Sequence, residues 1–303
     1  MRKRFAAAVI ALFLLSPAAI SAQKPAADPA RDVAAALKTL SAEVPRILKT
    51  ENLRDLYGNV YRLKEIGISY QPQLVAPVKP DPTWSKCQLR QYAGMKQFDA
   101  AYAIAFRKHQ DLALISRNLD EIFTTLDLRS QADWAGHTFA ALRKAAGQPE
   151  TADVLAMLNE LADEFAASLP TALSTPETAH YLEDSLYGFA IETAYLMGYF
   201  TANDPKGDIW DRIRDLRVKQ KATLAEYWPQ TALKVFEAFA QADARLGLKC
   251  ESPDKLTFYR KLTAFAVDCR SGKLKGAKMK AEADKIFQEL STIRQAMLAP
   301  KAR

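Results

Sequence analysis

Apolar residues recur at helical spacing along almost the whole chain, and this pattern constrains the fold more than any other feature. Alanine and leucine return every three or four residues, the spacing that places side chains on one face of a helix. Glycine is scarce, with 11 residues among 303, and the β-branched alternation typical of strands is nearly absent. The sequence therefore predicts an all-α protein, an up-and-down bundle of about nine to eleven helices.

The predicted helices are joined by short connections, so neighbouring helices are expected to run antiparallel. Two short helices are expected between residues 29 and 66, with Pro45 in the first turn of the second. The remaining helices are predicted at residues 85–107, 109–127, 131–146, 150–168, 176–202, 208–227, 230–246, 253–267 and 277–297.

A proline-rich segment between residues 69 and 83 interrupts the helical pattern. Proline denies a segment its helical hydrogen bonds and favours extended backbone, so we expect a linker here. The predicted organisation is a leader at residues 1–22, short helices and the linker at 23–84, and a main bundle at 85–303. Residues 247–303 could form a C-terminal helical subdomain, and the number of domains stays open.

The first 22 residues have the three-part pattern of a cleavable secretion signal. Arg2, Lys3 and Arg4 precede an apolar run at residues 5–15, which is shorter than the roughly 20 residues that cross a bilayer core. Small residues follow, and cleavage is expected near Ala22. No cysteine lies close to that point for lipid attachment, and no later apolar run predicts a transmembrane anchor. We expect a soluble periplasmic protein.

The charge pattern argues against a nucleic-acid-binding protein. The formal charge of +7 falls to +4 once the three basic leader residues are removed, and basic and acidic residues are interspersed. Such a pattern is typical of an ordinary solvated surface. The expected partner is therefore an envelope protein or a small ligand, not a nucleic acid.

Three cysteines in an exported chain permit one disulfide and leave one thiol. Cys250 and Cys269 form the favoured pair, and Cys87 with one of these two is the alternative. A straight helix of about 15 residues holds its ends about 20 Å apart, whereas bridged Cα atoms lie within about 7 Å. The favoured pair therefore requires the helix between its cysteines to bend or to be short.

An acid and two aromatic residues recur with the same spacing on two strongly apolar helices. Each acid is followed by a tyrosine three residues later and an aromatic residue four residues after that, in Asp99, Tyr102 and Phe106 and again in Glu192, Tyr195 and Tyr199. A glycine precedes each set, at Gly94 and Gly188. We expect both helices at the centre of the bundle, because a buried acid requires a partner.

Two interpretations of this repeated pattern follow. In the first, Asp99, Tyr102, Glu192, Tyr195 and Tyr199 line a polar pocket for a ligand. In the second, each acid is satisfied by a tyrosine hydroxyl or by an arginine such as Arg90 or Arg107, and serves only to fix the helix register.

A second group of polar residues recurs every three residues near the start of one predicted helix, at Glu177, His180, Glu183 and Asp184. His180 and Glu183 lie one turn apart and are the candidate metal ligands. An alternative is a capping box formed by Ser174 and Glu177, with Pro176 in the first turn.

The residues His180, Glu183, Leu186, Tyr187 and Gly188 resemble the His-x-x-Glu motif of imelysin-like proteins. That family consists of exported helical bundles connected with iron handling, so the resemblance implies a metal-associated role. The glycine that the family places two residues before the histidine is Thr178 in this chain.

No motif of a catalytic nucleophile, phosphate loop or haem site is present. We therefore expect an exported helical bundle with a binding or interaction role, without catalysis and without a cofactor. One alternative is an imelysin-like protein that binds metal at His180 and Glu183. The other is an envelope enzyme that uses Asp99 and Glu192.

Overall fold

The computed structural model describes residues 29–77, 79–128, 144–145, 147–148, 153–219, 228–246 and 255–300. These residues form ten α-helices, one 3₁₀ turn (Pro72–Leu74) and no strands. The prediction of an all-α bundle is thus confirmed. The helices are α1 (Pro29–Ile47), α2 (Thr50–Glu65), α3 (Lys86–Ala105), α4 (His109–Thr125), α5 (Val154–Ala172), α6 (Pro176–Ala202), α7 (Ile209–Lys219), α8 (Trp228–Leu246), α9 (Lys255–Arg270) and α10 (Gly276–Leu298).

Most predicted helices lie within a few residues of the observed ones. Most of the helix predicted at residues 131–146 and the last part of that predicted at 208–227 fall outside the described residues. Among the helices that the structure does describe, none is both long and apolar enough to cross a membrane.

Pro45 lies inside α1, near its C-terminal end, and not in the first turn of the second helix. The second helix begins only at Thr50. The apolar stripe of α1 continues through Leu40, Val44 and Leu48, all of which are buried. This burial favours continuation of the helix past a residue that weakens its backbone ladder.

The capping box of α6 lies one residue later than the sequence indicated. Thr175 is the N-cap, and its hydroxyl accepts a hydrogen bond from the backbone N–H of Thr178 at 3.3 Å. Pro176 explains the difference, because a residue before proline avoids the helical region. Thr175 is accordingly extended, with φ −132° and ψ 157°, so the helix cannot begin before Pro176 and the predicted Ser174–Glu177 box does not form.

Helices α3 and α6 form the centre of the bundle, as the repeated acid and aromatic pattern predicted. Almost every residue of α3 and most of α6 are buried. The two helices cross at two glycines. A Cβ at Gly94 would lie 1.7 Å from the carbonyl oxygen of Ser185, and one at Gly188 would lie 1.8 Å from that of Gln91. Only glycine permits this approach, and the reversed order of contacts shows that the helices are antiparallel.

Helix α10 packs along the other side of α6. Gly198 of α6 contacts Phe287 and Leu290, while Glu192 contacts Arg294, so these two helices are also antiparallel. One continuous hydrophobic core joins residues from Ala36 in α1 to Met297 in α10.

The favoured disulfide between Cys250 and Cys269 is wrong, because Cys269 has a free thiol. Helix α9 runs without interruption from Lys255 to Arg270, and Cys269 lies at its far end. At 1.5 Å per residue, the helix carries Cys269 about 20 Å from its own start. Cys250 itself lies outside the described residues. Cys87 lies in the first turn of α3.

Candidate functional site

The predicted linker is packed against the central helices by buried polar side chains. We call residues 70–77 the strap. Leu74 and Ala76 of the strap are buried, and the hydroxyl of Tyr92 on α3 donates a hydrogen bond to the carbonyl of Pro77. A segment without regular secondary structure leaves its backbone groups unpaired, and side chains of the central helices satisfy several of them.

Asp99 and Lys96, one turn apart on α3, hold both backbone groups of one strap residue. The Asp99 carboxylate accepts a hydrogen bond from the N–H of Ala76 at 3.1 Å and another from the Lys96 ammonium at 3.1 Å. Lys96 also donates to the carbonyl of Ala76 at 2.6 Å. Both side chains are at most 2 % exposed, so the ion pair and the strap are excluded from water together.

Glu192 of α6 binds Arg294 of α10 with both carboxylate oxygens, at 2.6 and 2.8 Å. Arg294 also donates to the carbonyl of Leu74 in the strap at 3.1 Å. Such two-point pairing of a guanidinium with a carboxylate is the strong form of this interaction. Each of the two central acids therefore has a buried basic partner, and each pair holds one strap residue.

The two acids lie close enough to influence each other. Burial raises the pKa of Asp99 to about 7, the Lys96 charge opposes this rise, and the charge of Glu192 adds to it. The sequence therefore identified correctly that Asp99 and Glu192 are buried along the same interior seam. The expected partners Arg90 and Arg107 are replaced by Lys96 and Arg294.

The tyrosines of the repeated pattern line the same region. The Tyr102 hydroxyl accepts a hydrogen bond from the N–H of Gln71 in the strap at 2.9 Å, and its ring stacks on Tyr70 at 4.8 Å. The Tyr195 ring lies 4.5 Å from the guanidinium carbon of Arg294.

Tyr199 packs against Phe287 of α10, with 5.8 Å between the ring centres. The polar groups of this seam thus face basic side chains and the strap, an arrangement that fixes helix register. Ligand binding by the five predicted residues stays a prediction.

His180 and Glu183 form a different site, at the interface of α6 and α8. Both side chains are buried, with His180 in the second turn of α6 and Glu183 in the third. The His180 Nδ1 atom lies 3.9 Å from a Glu183 carboxylate oxygen. Asp243 of α8 joins them, so that one potential ligand atom from each residue lies within 4.8 Å of the other two. Two helices thereby bring one imidazole and two carboxylates together.

The other members of the predicted polar group do not join this site. Glu177 is exposed to solvent. Asp184 accepts a hydrogen bond from Arg90 of α3 at 2.8 Å, with 2 % of its side chain exposed. This ion pair links α3 to α6 and leaves Glu183 directed toward α8.

Asp243 was missed by the sequence analysis although a signal was present. It follows Phe236 by seven residues and Phe239 by four, so it lies on the apolar stripe of α8. Phe236 and Phe239 are buried and Asp243 is partly buried. An acid on a buried stripe requires a partner, but the spacing alone could not indicate that the partner lies 60 residues earlier.

Comparison with known proteins adds no family assignment. No protein-family model, curated protein or solved structure matches this chain.

Proposed function

We propose that this protein is an exported, metal-binding helical bundle that holds one divalent transition-metal ion through His180, Glu183 and Asp243. The observation that carries this proposal is the convergence of three potential ligand atoms from two helices within 4.8 Å. The local resemblance of residues 180–188 to imelysin-like proteins points in the same direction.

The ligand chemistry favours a borderline metal ion. Imidazole suits zinc, iron, copper and nickel, whereas carboxylates suit magnesium, calcium and manganese. One imidazole with two carboxylates therefore favours Zn²⁺, Fe²⁺ or Mn²⁺ over an alkaline-earth ion. Ligand atoms bonded at about 2.1 Å in a tetrahedron lie about 3.4 Å apart, so binding would draw the three groups together by about 1 Å.

The charge and the burial of the site also support this proposal. Glu183 and Asp243 would together neutralise a divalent ion, and the buried position of His180 and Glu183 limits competition from water.

Export is the second part of the proposal. It is supported by the signal-like pattern of residues 1–22, in which basic residues precede a short apolar run and small residues. We accordingly place the protein in the periplasm. Its partners there would be an envelope protein or the metal itself.

Metal titration of the purified protein tests this function. We expect isothermal titration of the chelator-treated protein with Zn²⁺, Mn²⁺ or Co²⁺ to give one site per chain. His180→Ala, Glu183→Gln and Asp243→Asn should each weaken binding by more than about tenfold, since even groups that only orient metal ligands contribute 10- to 100-fold. His109→Ala, a histidine of α4 outside the cluster, is the matched control and should bind normally. Binding that is absent, or unchanged in all three variants, would contradict the proposal.

A further inference from the structure

Tyr259 of α9 is fully buried, with 0 % of its surface exposed, yet its hydroxyl makes no hydrogen bond within the described part of the chain. Burying a hydroxyl without a partner costs about 1–3 kcal/mol. Buried polar groups in native proteins almost always have a partner, including molecules that are not part of the chain. Within the described part of the chain, the Tyr259 hydroxyl is therefore available as a hydrogen-bond donor to a molecule bound beside it.

Tyr187 of α6 lies directly against this tyrosine. The two ring centres are 6.2 Å apart, and both rings pack on Phe236 of α8, at 5.9 Å for Tyr187 and 4.8 Å for Tyr259. Burial raises the pKa of Tyr259 well above its usual value, and the neighbouring Tyr187 phenol adds to this rise. The two hydroxyl groups thus share one buried region between α6, α8 and α9.

That region adjoins the His180, Glu183 and Asp243 cluster. Tyr187 follows Glu183 by four residues, which is one helical turn along the same face of α6. Side chains on a helix lean toward its N-terminus, so the Tyr187 side chain leans toward Glu183 and His180. Phe236 precedes Asp243 by seven residues, two turns along one face of α8. By this spacing, the two phenols lie within about one to two helical turns of the metal ligands.

Three protein ligands leave at least one coordination position open on a transition-metal ion. Glu183 and Asp243 already balance the charge of a divalent ion, so the ligand in that position at rest is expected to be neutral. A water molecule fits, since it binds the metal through oxygen and can accept a hydrogen bond from a phenol.

We propose that the metal site takes a small oxygen ligand from solution, water at rest and a small carboxylate or similar oxyanion in its place, and that the Tyr259 hydroxyl donates a hydrogen bond to it. This inference rests on the metal site proposed above. It makes the site open to exchange with small molecules, unlike a closed structural metal site with four protein ligands.

Cobalt substitution with acetate as the probe tests this inference. Co²⁺ absorbs visible light in a way that depends on its ligands, so acetate should change the spectrum of the cobalt-loaded protein. In Tyr259→Phe, the acetate affinity should fall by at least about fivefold while the Co²⁺ affinity stays within about twofold. The variant should remain folded, because it removes an unpaired buried hydroxyl and no packing atom. Tyr57→Phe is the matched control, since Tyr57 is a buried tyrosine of α2.

The possible failures are distinguishable. If the protein binds Co²⁺ but acetate leaves the spectrum unchanged, or if Tyr259→Phe binds acetate like the wild type, this inference is overturned and the proposed metal site stands. If the wild type binds no Co²⁺, Zn²⁺ or Mn²⁺, both proposals are overturned.

Discussion

The pKa of the Asp99 carboxyl group is shifted because this group is buried away from water. Burial outweighs the attraction of Lys96 and raises the pKa of Asp99 to about 7 from its ordinary value of 3.8. Because the folded state then holds this proton more tightly than the unfolded state, the protonated form contributes stability in acid. That contribution is lost as the pH rises from about 4 to about 7.

Asp99→Asn should remove this pH dependence. The free energy of unfolding of the wild type, relative to the variant, should fall between pH 4 and pH 7 with a slope of at most about 1.4 kcal/mol per unit. Denaturant titrations at several pH values measure the difference. Asp163→Asn, which changes an exposed carboxylate paired with Arg54, is the control. A constant difference across this range would contradict the assigned shift.

Glu192 illustrates the cost of leaving a buried charge without its partner. Its side chain is 1 % exposed and that of Arg294 is 12 % exposed. Glu192→Gln should lower the free energy of unfolding by about 3–5 kcal/mol, because the Arg294 charge stays buried. Glu289→Gln changes a carboxylate that is 41 % exposed and paired with Lys261, and should cost less than about 1 kcal/mol. Equal effects in the two variants would show that Glu192 is not a buried structural anchor.

At the scale of helices, the crossing of α3 and α6 depends on the absence of two side chains. The Cβ distances of 1.7 and 1.8 Å to backbone oxygens cannot be relieved by rotating a side chain. The helices themselves would have to separate, which would disturb the seam that contains Asp99 and Glu192.

Gly94→Ala and Gly188→Ala should each lower the melting temperature strongly. Gly198→Ala is the control on the same helix, since a Cβ there would lie 3.6 Å from side chains of α10, an ordinary contact. Alanine is favoured over glycine in a helix by about 1 kcal/mol, so the Gly198→Ala protein should be as stable as the wild type or more stable. Thermal unfolding followed by circular dichroism separates these cases. A Gly94→Ala protein as stable as Gly198→Ala would contradict the close crossing.

The strap shows how elements without regular structure become part of a core. Its prolines were interpreted as a linker because they prevent helix formation. Yet Leu74 and Ala76 are buried, and Lys96, Asp99 and Arg294 bind their backbone groups. Proline content predicts the local conformation of such a segment, whereas its burial depends on polar side chains supplied by other helices.

For the whole molecule, the cysteines make the clearest covalent prediction. The chain contains three cysteines, and Cys269 is free. Cys250 is therefore the expected partner of Cys87, the alternative that the sequence left open. Peptide mapping without reductant should recover the two peptides as a linked species, and an alkylating reagent should label only Cys269. Labelling of Cys87 in the unreduced protein would contradict this pairing.

The order and the extent of the helices could be predicted from the sequence, because the signals act over a few residues. Pro176 sets the start of α6. Asn203 and Pro205 predict that the helix ends at residue 202, and the observed end at Ala202 confirms this. The central position of α3 and α6 could also be predicted, since each carries a strongly apolar stripe around its acid. The proximity of His180 and Glu183 follows from helical pitch alone.

Only the tertiary structure decided which helices share each polar site. Lys96 was within reach of sequence reasoning, since it lies three residues before Asp99. Arg294 and Asp243 were not, because they lie 102 residues from Glu192 and 60 residues from Glu183. Hydrophobic periodicity specifies which face of a helix is buried, and carries no information on the neighbour that covers it. That choice is made by the joint packing of all the helices, which here brings Asp243 to His180 and Arg294 to Glu192.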